Sequence, residues 1–198
     1  QINLYYAENI DGKGWSGVVS APFNNNEYST GHPALSQDGN TLYFVSDMPG
    51  GKGGSDIYMV AINSDGSLGT PKRLGDNINT EGKELFPYLD SNGTLYFSSN
   101  GHMGIGGLDV FYAEAQGDGF GVVNNLGKGV NSSADDFAYK YDPTSQSGYV
   151  SSNREGGMGS DDIYMVEAVE IPCEVTIAVL VINENTNAAV AGARVDLY

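Results

Sequence analysis

Apolar residues in this chain fall in short alternating runs bounded by polar turns. Leu42-Tyr43-Phe44-Val45-Ser46-Asp47, Leu95-Tyr96-Phe97-Ser98-Ser99-Asn100 and Gly148-Tyr149-Val150-Ser151-Ser152-Asn153 share one pattern of aromatic and small positions. Such runs read as strands, and the Asp38-Gly39 and Asn92-Gly93 pairs ahead of the first two supply the positive φ that a tight hairpin needs. In the last run Thr144-Ser-Gln-Ser147 stands in place of that turn. No sustained 3.6-residue period occurs, so a solenoid of helices is excluded.

A second signature follows each run. Gly53-Gly54-Ser55-Asp56-Ile57-Tyr58, Gly106-Gly107-Leu108-Asp109-Val110-Phe111 and Gly159-Ser160-Asp161-Asp162-Ile163-Tyr164 place aspartates at 56, 109 and 162, with both intervals 53 residues. One interval earlier stands Asn3, within Ile2-Asn3-Leu4-Tyr5. Between the signatures runs a glycine-rich loop, with Gly51, Gly104 and Gly157 in register, and likewise Gly53, Gly106 and Gly159.

Each unit therefore predicts four antiparallel strands: one such as Pro33 to Ser36, the aromatic strand, one such as Asp56 to Ile62, and an outer strand near Pro71 to Gly75. A lone sheet cannot bury both faces. Four-stranded units at a fixed period predict an all-β fold, a β-propeller of four-stranded antiparallel blades, over residues 1–172. The chain would begin inside one blade, carry two complete ones (32–84 and 85–136), and end the array after three strands of another.

After Ile171-Pro172 the repeat stops. Proline cannot donate to a continuing ladder, so it is the expected boundary. Glu174 to Ile182 reads as a strand, Asn183 to Asn187 as a polar turn, and residues 173–198 as the first strands of a β-sandwich.

Composition sharpens this. With 28 glycines and 13 tyrosines, the chain favours strands and tight turns. Its net charge of −16, with Lys72-Arg73 the only adjacent basic pair, opposes binding to nucleic-acid phosphates. Cys173 has no second cysteine to pair with, and Val175 to Ile182 falls far short of the roughly 20 apolar residues of a membrane span. With no basic-then-apolar leader at its start, the sequence reads as a mature exported chain or a segment of a longer one.

The candidate chemistry is mostly architectural. Asp56, Asp109 and Asp162 could ligate calcium, but one acid per unit and the absence of an EF-hand spacing favour carboxylates that accept loop backbone N–H groups. Asn3 is expected to accept the same bonds without charge. Asp47, Asn100 and Asn153, closing each aromatic strand, are repeated structural positions too. The glycine loops lack the Gly-Lys-Ser/Thr ending and following helix of a phosphate cradle.

His32 and His102 occupy different repeat positions, and Ser98, Ser99, Ser151 and Ser152 belong to repeated strand ends, so no catalytic grouping and no cofactor site is expected. Trp15, near the repeat position of Leu68 and Phe120, is expected to pack between blades. What varies is one loop, with Met48-Pro49, His102-Met103 and Arg154-Glu155. These six are candidate partner-binding residues, with plain solvation the alternative.

Pro33-Ala-Leu-Ser-Gln-Asp-Gly39, Leu42 to Ser46 and Ser55 to Tyr58 resemble the TolB-like (WD-repeat-like) propeller family over about residues 1–170. The insert Ser99 to Phe111 looks more narrowly like the version in multidomain OmpA-family envelope proteins, including the PorE type associated with type IX secretion. Asn183 to Thr186 and Val190 to Val195 look like the opening of a carboxypeptidase-regulatory-like domain. The resemblance implies a periplasmic, outer-membrane-associated scaffold that binds envelope proteins, with peptidoglycan contacted only through domains outside this chain. A glycan- or peptide-recognising propeller of an enzyme or its accessory protein is the alternative.

Overall fold

Strands form where the aromatic and β-branched runs lie. The computed structural model describes residues 1–10, 12–168 and 180–192, and the chain divides into two compact units, Gln1–Ala168 and Val169–Tyr198. In the first, β1 (Tyr5–Tyr6) pairs with β2 (Val19–Ser20). A four-stranded antiparallel sheet follows in chain order: β3 (Thr30–Leu35), β4 (Thr41–Ser46), β5 (Asp56–Ala61) and β6 (Lys72–Arg73). A second repeats it with β7 (Glu84–Leu89), β8 (Leu95–Ser99), β9 (Asp109–Gln116) and β10 (Gly119–Asn125). The last has three strands, β11 (Asp136–Asp142), β12 (Ser147–Ser152) and β13 (Asp162–Glu167). The fold is all-β, and among the described residues no helix is long and apolar enough to cross a membrane.

Equivalent residues do equivalent packing. Leu4, directly before β1, is buried with Leu42, Phe44, Tyr58 and Val60 of the second sheet. Ile57 and Val45, on the far face of that second sheet, are buried with Leu95, Phe97, Phe111 and Ala113 of the third. Val110 repeats the arrangement against Val150 and Tyr139. Each fully buried aliphatic side chain stabilises the sheet pair by roughly 1.5–3 kcal/mol. Burial also acts on the tyrosines at the last of these interfaces, pushing the hydroxyls of Tyr96 and Tyr139 up to about 12.

Each first strand is broken by a bulge, where the pairing register shifts between Gly31 and Ala34, Leu85 and Tyr88, and Phe137 and Lys140. Within those bulges His32, Phe86 and Ala138 have φ of 47°, 51° and 54°, left-handed conformations uncommon for residues with a side chain. The bulges aim rings sideways: His32 stacks on Phe86 at 4.0 Å between centroids, and Phe86 on Phe137 at 5.2 Å.

Gly39 and Gly93 take positive φ in their hairpins, as the turn chemistry requires. Gln146, one repeat interval after Gly93, adopts φ 52° there without glycine's freedom.

Trp15 departs from expectation. It is 70 % exposed and bridges to Asn9. Leu68 packs against the core cluster of Leu4, Leu42, Phe44, Tyr58 and Val60, and Phe120 packs on Tyr43 of the sheet before its own, whereas no described sheet covers Trp15.

In the second unit the polar turn is present: Asn183 N–H donates to the Ala188 carbonyl and Asn187 N–H to that of Asn183, next to an Ile182–Ala189 bridge. The Pro172 boundary and residues 174–179 of the expected strand lie outside the described residues.

Candidate functional site

The glycine loops and the strand ends they join lie at one end of the sheets, and the repeated acids organise them. Asp56 Oδ2 accepts N–H bonds from Lys52 (2.8 Å) and Gly53 (3.2 Å). Asp109 Oδ2 does so from Ile105 (2.6 Å) and Gly106 (3.0 Å), and Asp162 Oδ2 from Met158 (2.8 Å) and Gly159 (3.0 Å). The carboxylate thus substitutes for the ladder partners that a loop turning through glycines lacks. Glycine is needed at 104 for a steric reason as well, since a Cβ there would collide with the Asp109 carboxylate.

The Oδ1 of Asn3 is buried without a partner among the described residues.

Asp47, Asn100 and Asn153 form a second repeated tie. Their Oδ1 atoms accept N–H bonds from Ser29 (2.6 Å), Lys83 (2.8 Å) and Asp135 (2.8 Å), fixing the entry to the first strand of each sheet against the end of the second.

Two further sets escape a reading by fixed period. Asn24, Asn79 and Asn131 each insert a side-chain amide beside a strand residue. Ile57 N–H donates to Asn79 Oδ1 at 2.8 Å while Asn79 Nδ2 donates back to Ile57 O at 3.0 Å. Asn131 brackets Val110, and Asn24 brackets Leu4, in the same way. The second set pairs Thr30, Glu84 and Asp136 with Ser46, Ser99 and Ser152 in the β3–β4, β7–β8 and β11–β12 registers.

Glu84, fully buried, accepts from Thr80 N–H and Oγ and from Ser99 Oγ. Asp136, also fully buried, accepts from Ser132 N–H and Oγ and from Arg154 Nη2. The asparagines and the Thr30, Glu84, Asp136 positions depart from the 53-residue interval, and residue type changes among the latter, so periodicity exposes only the serines Ser46, Ser99 and Ser152.

The six loop candidates separate into two groups. Aligned on Asp47, Asn100 and Asn153, Met48 corresponds to Gly101 and Arg154, and Pro49 to His102 and Glu155. Met48 packs against the core around Phe44. His102 lies edge-on to Phe97 and its Nε2 sits 2.8 Å from the Ile78 carbonyl. Arg154 turns back on Asp136 and covers the Tyr164 ring at 4.7 Å. These three side chains make contacts within the protein, each of a different kind. Met103 is 96 % exposed, and Pro49 and Glu155 sit at the loop surface. Fully exposed Met158 and partly exposed Ile105, which the sequence reading did not single out, stand at the same end, directly after Gly157 and Gly104.

A cleft of about 250 Å³ opens beside His32, bounded by Ile2, Val45 and Leu85 on its apolar side and by Asp47 and Lys83 on its polar side. That is below the roughly 300–1,000 Å³ of typical small-molecule sites. His32 Nδ1 accepts the Phe86 N–H at 3.2 Å, which assigns the ring proton to Nε2, and burial lowers its pKa from the ordinary value. Among the described residues no three His, Cys, Asp or Glu side chains gather as a metal site. Compared with known proteins, the chain matches no family model and no curated sequence.

Proposed function

We propose that residues 1–168 are consecutive blades of a TolB-like β-propeller that docks a protein partner in the cell envelope, as part of a periplasmic, outer-membrane-associated scaffold of the OmpA-family, PorE type. For the propeller, the supporting observation is an uncovered face. Ile163, Met165 and Tyr149 of the last sheet are 75 %, 60 % and 56 % exposed, while Ile57 and Val110, equivalent to Ile163, are fully buried by the following sheet. A further blade is the cover this face fits. Attachment to the cell wall would fall to domains outside this chain.

For docking, the observation that carries the reading is the loop end. Met103 and Met158 project fully into solvent from loops whose backbones are pinned by the aspartates. Flexible, polarizable methionines on a rigid base suit adaptable protein contact, and loops on a scaffold are where recognition concentrates. The test is capture of partners from detergent-solubilised envelopes by the full-length protein and by a Met103→Glu/Met158→Glu variant. Loss of specific partners in the variant is expected; an unchanged set of partners would rule out the methionine loops as the docking element.

A further inference from the structure

We propose that each of the two complete sheets encloses one structural water, bridging its repeated aspartate to its outermost strand. Asp56 and Asp109 spend Oδ2 on the loop N–H groups; Oδ1 of each is buried and has no partner among the described residues. In the same two sheets a donor on the outermost strand is buried and unpartnered too: Arg73 Nη1 on β6 and Asn125 Nδ2 on β10. The amide orientation of Asn125 is set by its other atom, since Oδ1 accepts from Gly127 N–H at 2.7 Å and from Asn131 Nδ2 at 2.9 Å.

The two pairs are equivalent in register. Tyr58 lies opposite Arg73, and Phe111 opposite Asn125. Each aspartate stands two residues before that tyrosine or phenylalanine, on the same face of its strand, and is therefore the diagonal neighbour of the donor. An acceptor and a donor left over on one diagonal in both sheets call for a ligand that can donate and accept at once. Water does this; a metal ion would satisfy Oδ1 and leave the N–H unanswered. In the first pair Tyr58 Oη, likewise buried and unpartnered, offers a third contact. The last sheet supplies the contrast, because Asp162 is only partly buried and no fourth strand is present there among the described residues.

A crystal structure of the protein at a resolution that orders internal waters tests this. The expected result is one peak within hydrogen-bonding distance of Asp109 Oδ1 and Asn125 Nδ2, another shared by Asp56 Oδ1, Arg73 Nη1 and Tyr58 Oη, and none bridging Asp162. Tyr58→Phe should weaken the second peak and leave the first. A missing peak at either aspartate, or a direct contact between acid and donor, overturns the proposal. A peak ringed by oxygens at about 2.3–2.6 Å would replace the water with calcium. In solution the unfolding midpoint should be the same in calcium and in chelator, and a shift between them would also overturn it.

Discussion

The third strands of the second and last sheets share the run Asp-Ile-Tyr-Met-Val, yet the isoleucine is fully buried at 57 and 75 % exposed at 163. The run is the same; what differs is its surroundings, since β5 has β6 beside it and a further sheet over Ile57, and β13 has neither among the described residues. Burial in this fold is conferred by the next unit and is not a property of the motif, so one side chain should carry very different energies at its two positions.

The largest expected effect follows from that contrast. Ile57→Ala should cost about 2–5 kcal/mol in equilibrium unfolding. Ile163→Ala should fall within about 0.5 kcal/mol for residues 1–198 alone. Equal costs would show that some other surface covers Ile163. The next effect runs the other way, because the last sheet holds the single buried ion pair seen among the described residues. Arg154→Met leaves the Asp136 carboxylate buried without its cation and should cost about 3 kcal/mol, a loss that denaturant titration would register. Gly101 occupies the corresponding place beside Glu84, which neutral donors alone satisfy.

The repeated aspartates sharpen the comparison at intermediate size. Asp109→Ala should cost about 1–3 kcal/mol by stranding the Ile105 and Gly106 donors, with Asp109→Asn milder. Asp162→Ala should cost less than Asp109→Ala, because water can reach its loop. Smaller still, Gln146→Gly should raise stability by about 1 kcal/mol by relieving a left-handed backbone, measurable as a higher thermal midpoint.

The smallest is a pH effect at the His32–Phe86 stack between covered sheets. Burial holds the folded His32 below its ordinary value of 6.5, so the unfolded chain takes up the proton first. Stability should therefore decline as pH drops below about 6.5 and level off once the folded ring is protonated too. A His32→Phe variant should lose that part of the slope; an unchanged slope would place its origin elsewhere.

The strands and their turns were legible because identical residues recur at one interval, as Asp56, Asp109 and Asp162 do. The Asn24, Asn79 and Asn131 amides were not, since loops of unequal length move them off the interval even though all three do one job. The internal contacts of His102 and Arg154 were hidden for a different reason. Their chemical variety suggested a solvent face, but the variety answers to different gaps beneath each loop, filled by a ring in one sheet and a guanidinium in another. Trp15 was readable as a packing residue and is exposed here, because its own strand pair offers no cover and no described sheet lies over it.

The asparagine brackets also bear on how such an array can change length. Each unit carries both halves of its bracket, a strand residue such as Ile57 and, in the segment leading onward, the amide that closes on it. Tandem duplication or excision of one whole unit would therefore leave every bracket whole. Genes encoding this fold can gain or lose units without inventing new contacts, provided that the cut falls at the same place in every repeat.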